Sequence, residues 1–593
     1  MKAEIKNRIE KLRSLMQTNG LSAYLINGSD PHMSEYVPER WQSREYISGF
    51  SGSYGWLAIT ADKATLWTDS RYYLQAGEQL NDTGIEMIKA RDTESPTIVQ
   101  WIVEELEAGQ MLGFDGSCYS SAEVKNFKKV FSGHQIEMNY SIDLLNDVWT
   151  DRPGIPDQKA FLHPVKWAGL SRAQKFDQIR AELFKSSAKT IVLTALDDIG
   201  WTFNLRGADV DCNPVALAYA IISETSVQLF IDQSKLNDQQ KSELKADGVE
   251  LLDYLQFYSS LLEIKNQTVF IDPDRVNFLI QQSLKENNQL IEGLSIPALL
   301  KSCKNEAELE GMKKAHINDG LALLDFQMWL EDAMVHETVT EWDVAQKLIE
   351  VRSKRMGYVG TSFFPIVGYH DHGAIVHFHV SPESANVLKR EGILLFDSGG
   401  QYEFGTTDIT RTIALGPVTD QMKKDFTLVL KGMIALSRVK FPKGTHGCHL
   451  DVLARQALWS NYLNYGHGTG HGVGAFMNVH EGPGSIRPDL NNQQIRLGNV
   501  FSNEPGFYRV GEYGIRIENL MYCVADSVTE YGDFYQFSTL TKFPIDTQLI
   551  DVNLLTPEEK IWINSYHQNL LSGLSYFTNS DQFVLLKRLT QPI

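Results

Sequence analysis

The sequence predicts a chain of mixed α/β and α+β class: two related small α/β domains, then a larger third region that opens on a long helix. Three observations predict it. Segments starting near residues 4 and 171 follow one plan, a turn-rich stretch separates them, and a strongly helical run near residue 305 precedes paired β-like runs. The length of 593 residues suits three or four domains at about 150 residues each.

The first segment runs EIKNRIEKLRSLMQTNGLSAYLI, then ISGFSGSYGWLAIT, then ATLWTDSRYYLQA. It offers an amphipathic helix, a β-branched strand, a glycine-bearing bend and two strands suited to a hairpin. SRAQKFDQIRAELFKSSAKTIVLT, IGWTFNLRGADV and VALAYAIISETSVQLFIDQSKL repeat that order, so the pattern reads as a duplication. Between them TDRPGIPDQKAFLHP has the composition of a linker. Arg44 and Arg71 in the first copy, and Arg206 in the second, are candidate substrate contacts, although such arginines are more often solvated or structural. The third region starts at KNEAELEGMKKAHINDGLALLDFQMWL, giving expected boundaries of 1–155, 156–304 and 305–593.

Composition narrows the function. The net charge of −19 argues against a broad nucleic-acid surface and is compatible with a cation site built from carboxylates. The five cysteines, Cys118, Cys212, Cys303, Cys448 and Cys523, are odd in number and form no C-x-x-C, so neither a disulfide framework nor a cysteine zinc site is indicated. The opening MKAEIKNRIEKLRSLM is charged and lacks the apolar core of a signal peptide. With no long apolar run to span a bilayer, the expectation is a cytoplasmic protein without a membrane partner.

The third region carries the chemistry. In GILLFDSGGQYEFGTTDITRTIALG, two β-like runs flank a glycine-containing turn and carry Asp397 and Asp408 near their inner ends. Facing each other across a hairpin, their β-carbons would lie about 5 Å apart. NVFSNEPGFYRVGEYGIRIENLMYCVA repeats the arrangement with Glu504 and Glu518. Four converging carboxylates would repel one another, raising their pKa values, unless cations balanced them. Between the hairpins lies NYGHGTGHGVG, with glycine at each even position from Gly466 to Gly474. Those glycines would cost a helix about 1 kcal/mol each, so an extended chain is expected. There His467 and His471 sit about 13 Å apart, too far to share an ion, so at most one ligates a given site. The bare glycine face lets another backbone or a ligand approach closely. Four carboxylates with one histidine and no thiolate suit a hard or borderline cation such as Mn²⁺.

Taken in order, DSGGQYEFGTTDITRT, HGTGHGVG, NVHEGP, NEPGFY and GIRIEN resemble the motifs of pita-bread metallopeptidases. With SGFSGSYG and LWTDSRYYLQA near the start and TQPI at the end, nearly the whole chain is similar to the three-domain, eukaryotic-type cytosolic aminopeptidase P family, the Xaa-Pro aminopeptidases. The resemblance implies two creatinase-like α/β domains followed by a pita-bread catalytic domain with a curved antiparallel sheet. It implies Asp397, Asp408, His471, Glu504 and Glu518 as ligands of two divalent ions, with Asp408 and Glu518 bridging. His467, His480 and His377 match histidines that line the substrate site, and Arg516 matches an arginine beside the bridging glutamate. The implied reaction is hydrolysis of the N-terminal Xaa-Pro bond of peptides, a water or hydroxide shared by the ions being the nucleophile and Glu504 the acid/base. Such relatives are commonly homodimers, and Trp459 is a candidate interface aromatic. GYHDHGAIVHFH departs from the pattern, because His370, His372 and His379 match no family position. Prolidase, which cleaves dipeptides, is the nearest rival. Creatinase-like enzymes and binding-only pita-bread domains lack this ligand set.

Overall fold

The computed structural model describes every residue except Met1, Arg91 and Thr93. It divides into two compact units, one holding the chain up to Val165 with Leu170–Leu299, the other Lys166–Gly169 with Leu300–Ile593.

The first unit contains two six-stranded sheets of one topology. In the first, Ala23–Ile26 is central; it pairs antiparallel with Trp56–Thr60, which pairs antiparallel with Ala64–Thr68, and Glu86–Lys89 closes that edge in parallel. Its other side carries Met111–Gly113 and Glu137–Asn139, both parallel. The second sheet repeats this around Thr190–Leu193: the hairpin Ala218–Ser223 and Val227–Ile231, then parallel Val249–Leu252, with Thr268–Ile271 and Gln289–Glu292 opposite. The duplicated pattern of the sequence is thus a duplicated topology. The expected linker is mostly irregular, and its end, Phe161–Leu162, pairs with Leu205–Arg206.

Arg44, Arg71 and Arg206 each bond to nearby groups of their own domain. Arg44 is buried and donates to the carbonyls of Gly52 and Gly55, holding the glycine-rich bend. Arg71 forks onto Asp69 at 2.9 and 2.8 Å, and Arg206 donates to the Gly200 carbonyl at 2.8 Å.

In the second unit, the long helix Glu306–His336 starts at a capping box, in which the Asn305 side chain accepts the Glu308 amide and Glu308 accepts the Asn305 amide. Its Leu324 and Phe326 pack on Val367, Leu394 and Phe396 of an antiparallel sheet formed by Ile366–Tyr369, Ile393–Ser398 and Ile409–Ala414. A second, six-stranded antiparallel sheet runs Lys440–Pro442, Gly532–Thr539, Asn519–Thr529, Val500–Asn503, Gly470–Gly472 and Glu481–Ile486. Helix Asp420–Arg438 buries Val429, Leu430 and Met433 in one cluster with Ile515 and Ile517 of the connecting hairpin. Antiparallel sheets backed by helices are what the resemblance to pita-bread enzymes implies for this region. Both carboxylate hairpins and the glycine run feed strands into these two sheets, which brings residues distant in sequence to one place.

Candidate metal centre

Register decides how each acidic pair meets. Asn503 faces Asn519 and Gly506 faces Arg516, so the intervening register sets Glu504 directly opposite Glu518. The other hairpin differs from the face-to-face expectation. Asp397 is opposite Thr410 and Ser398 opposite Ile409, so Asp408 is the diagonal neighbour of Asp397 on the same face. The short strands Gly400–Tyr402 and Gly405–Thr406 lie between the two runs and lengthen the connection.

The glycine run joins the hairpins. Only Gly470–Gly472 forms a strand, pairing with Glu481–Ile486 on one side and Val500–Asn503 on the other. A β-carbon at Gly470 would run into the Ser502 carbonyl, and one at Gly472 into the Glu481 carbonyl. Neighbouring backbones therefore occupy the space that the glycines leave.

His471 projects from this strand into the carboxylates. Its Nε2 lies 3.5 Å from both Asp408 Oδ2 and Glu504 Oε1. Its Nδ1 lies 2.9 Å from the Gly472 carbonyl, an acceptor only, so Nδ1 carries a hydrogen and Nε2 faces the acids. Ligand atoms of Asp408, His471 and Glu518 all lie within 4.8 Å of one another. Asp397, Asp408 and Glu518 are buried, and Glu504 and His471 are half-buried.

A polar network holds this cluster. Arg516, buried beneath it, donates from Nη2 to Asp397 Oδ2 at 2.7 Å, from Nη1 to the Tyr508 hydroxyl at 2.8 Å and from Nε to Thr410 Oγ1 at 3.1 Å. The Thr410 hydroxyl donates onward to Glu518 Oε2 at 2.9 Å. Because a guanidinium can only donate, Tyr508 accepts from Arg516 and uses its own hydrogen on His467 Nε2, 2.8 Å away. His467 Nδ1 then donates to the Gly468 carbonyl at 2.7 Å. His480 sets its ring edge-on to His471 with centroids 4.4 Å apart. His377 is half-buried and follows Val376, whose carbonyl accepts from Arg516 at 3.3 Å.

Electrostatics records the crowding. Burial, reinforced by the neighbouring carboxylates, holds Asp397 above its ordinary range, pushes Glu504 up to about 7 and lifts Glu518 well above the usual glutamate value. Burial opposes a charged His471, but Asp408 and Glu504 outweigh it and push the imidazole up to about 9. These shifts describe a site short of positive charge. Asp397 Oδ1, moreover, is buried with no hydrogen-bond partner among the described residues. A lone pair with no donor, four acids and an imidazole nitrogen aimed at them fit divalent cations, whose charge would reverse the repulsion.

The extra histidines go elsewhere. His372 Nδ1 lies 2.8 Å from the buried Glu341 carboxylate and its ring stacks on Phe378, His370 is exposed against Tyr369, and His379 packs edge-on to Phe364. Sequence reasoning missed Tyr508, Thr410 and Ser502. The first follows Glu504 by four residues in NEPGFY, and the second lies two residues past Asp408, the only signals available.

Comparison with known proteins shows the family of the chain. Residues 310–525 match the model of metallopeptidase family M24, and 533–593 the C-terminal region of that peptidase group. Residues 8–140 and 151–308 each match a creatinase/prolidase N-terminal domain. The chain is 38% identical to aminopeptidase P2 of Arabidopsis thaliana, over 97% of this chain and 86% of that one. It is equally similar to a probable Xaa-Pro aminopeptidase P of Coccidioides posadasii, over 100% and 94%. Among solved structures, an X-prolyl aminopeptidase of Caenorhabditis elegans, described as a cytosolic enzyme with a di-nuclear active site, superimposes with a TM-score of 0.95 at 33% identity, covering 99% of this chain and all of that one.

Proposed function

The chain belongs to the aminopeptidase P family of M24 metallopeptidases, and from that premise we propose that it is a metal-dependent aminopeptidase that hydrolyses the N-terminal Xaa-Pro bond of peptides. The observation that carries this reading is the meeting of four carboxylates and one imidazole, with a buried acid oxygen left without a donor. We assign Asp397, Asp408, His471, Glu504 and Glu518 as ligands of two divalent ions, and Mn²⁺ as the ion this oxygen-rich set suits. Bound there, the pair of ions supplies Lewis-acid chemistry, acidifying water and polarising the scissile carbonyl.

The chain's own residues do the rest. Glu504 takes the proton of the attacking water on its carboxylate and delivers it to the departing nitrogen. That delivery matters here, since an Xaa-Pro amide nitrogen carries no hydrogen and must gain one as the bond breaks. His480 and His377 orient the peptide and stabilise charge developing on the carbonyl oxygen. His467, tied to Tyr508, lines the same site. Arg516 opposes the effect of burial by favouring the charged form of Asp397, and holds it in place through a charge-assisted bond.

We further infer a cytoplasmic homodimer that binds neither nucleic acid nor membrane. Among the described residues no helix is long and apolar enough to cross a membrane, and the acidic charge disfavours a phosphate backbone.

The reading is tested by offering an Xaa-Pro-Xaa tripeptide to chelator-stripped protein before and after adding Mn²⁺, alongside His471→Ala. Release of the first residue should require the metal and be lost in the variant. Folded protein that cleaves under no metal would instead favour a binding-only role.

A further inference from the structure

Glycines let the 464–474 run pack closely but give it no stiffness of its own, and two histidines of the site hang from it. The preceding helix, Gly447–Trp459, supplies the stiffness through one buried ion pair. Arg455 and Asp451 are each 2% exposed. The guanidinium forks onto the carboxylate, Nε to Oδ2 at 2.6 Å and Nη2 to Oδ1 at 3.1 Å. Its other N–H groups enter the run: Nη1 donates to the Tyr465 carbonyl and Nη2 to the His467 carbonyl, both at 2.7 Å. The cation also lies 3.9 Å from the centre of the Tyr465 ring. From the other side, Asp451 Oδ1 accepts the Thr469 hydroxyl at 2.6 Å. One pair thus holds residues 465, 467 and 469, alternate positions leading into His471. The Thr469 carbonyl in turn accepts the Glu504 amide at 2.8 Å.

A buried ion pair is seldom more stabilising than apolar residues of similar volume, so stability is a weak account of this one. We propose that Arg455, braced by Asp451, is a positioning residue for peptide hydrolysis: it fixes the backbone at His467 and thereby aims the His467–Tyr508 pair into the site. The inference rests on the reading of the site given above. His471 has separate supports, its amide donating to the Ser502 hydroxyl at 3.0 Å and its strand paired on both sides. Thr469, whose carbonyl holds the Glu504 amide, keeps its own bond to Asp451, so loosening Arg455 alone spares the ions and falls on turnover.

The test is a double-mutant cycle in the full-length, metal-loaded enzyme: wild type, Arg455→Lys, His467→Ala and the double variant. Lysine keeps the charge beside Asp451 but cannot reach a carboxylate and two carbonyls with a planar fork. Metal per chain, thermal unfolding, kcat and KM on the tripeptide are read for each protein. Arg455→Lys should keep its metal and lose about 10-fold in kcat with KM within about 3-fold, and the same change on His467→Ala should cost less than about 2-fold. Losses that multiply in the double variant, or wild-type turnover in Arg455→Lys, overturn the proposal. If Arg455→Lys does not fold, the pair Arg455→Met with Asp451→Asn, which leaves no charge at this place and keeps an amide oxygen for the Thr469 hydroxyl, is carried through the same cycle with the same criteria. A silent His467→Ala also overturns it, but by removing His467 from the site, and the metal-dependence test above would stand unaffected.

Discussion

Gly470 shows how little freedom a single position has beside this site. A methyl group there would meet the Ser502 carbonyl, a backbone atom that cannot swing aside. The Ser502 hydroxyl accepts the His471 amide at 3.0 Å and donates to Glu504 Oε1 at 3.2 Å, so any shift is passed to two of the assigned ligands. Gly470→Ala should therefore lower stability by about 1–3 kcal/mol, as overpacking does, and weaken metal binding as well. Thermal unfolding with and without Mn²⁺ reads both; wild-type behaviour in each would show that the strand yields at no cost. Much of this scale was legible in the sequence, because acids, histidines and glycines announce their chemistry by type. Tyr508, Thr410 and Arg455 do not. They are ordinary residues with no diagnostic spacing, and only the fold brings Arg455 under the carbonyls of Tyr465 and His467.

Among the elements, β-like runs around the acids could be read from residue pattern, but their register could not. Glu504 and Glu518 meet directly because one register continues from the sheet through the hairpin, whereas Asp397 and Asp408 meet diagonally because small strands intervene. Turn geometry sets such offsets, and hydrophobic alternation alone does not report it. A helix near the C-terminus makes a prediction of its own. In Pro557–Leu574, His567 is fully buried and its Nε2 accepts the Ile545 amide at 3.2 Å. Burial, with Arg411 adding repulsion, lowers its pKa from 6.5 to about 4. The folded value lies below the unfolded one, so the unfolded chain takes up the proton first as pH falls. His567 thus contributes stability that is complete above pH 6.5 and is lost progressively down to about pH 4. Relative to His567→Gln, wild type should lose about 1.4 kcal/mol per pH unit across that window. Denaturant unfolding at pH 7 and pH 4.5 measures it; parallel losses in the two proteins would exclude His567 as the source.

The whole chain joins a duplicated α/β pair to one pita-bread domain. The duplication was visible in the sequence as a repeated order of helix, strand and hairpin, since each copy must cover its own sheet. Less visible was the short segment 166–169, which belongs with the catalytic unit: Trp167 packs on Phe404 with ring centroids 5.2 Å apart, and Asn305 donates to the Ala168 carbonyl at 2.9 Å. Association of two copies must overcome a formal charge of −19 on each, so a stable dimer needs apolar contact and should tighten as salt screens the repulsion. The end of helix Gly447–Trp459 offers such contact. Trp459 is 48% exposed with its indole N–H already donated to Asn464, and Tyr462 beside it is fully exposed. A ring with its polar edge satisfied inside the chain presents its apolar face outward, as interface anchors do. Trp459→Glu would add two like charges to that contact, one from each copy. Light scattering across a salt series should give a dimer mass for wild type and a monomer mass for the variant, most clearly at low salt. A variant that keeps the dimer mass would move the interface elsewhere, and a monomeric wild type would remove the dimer from the proposal.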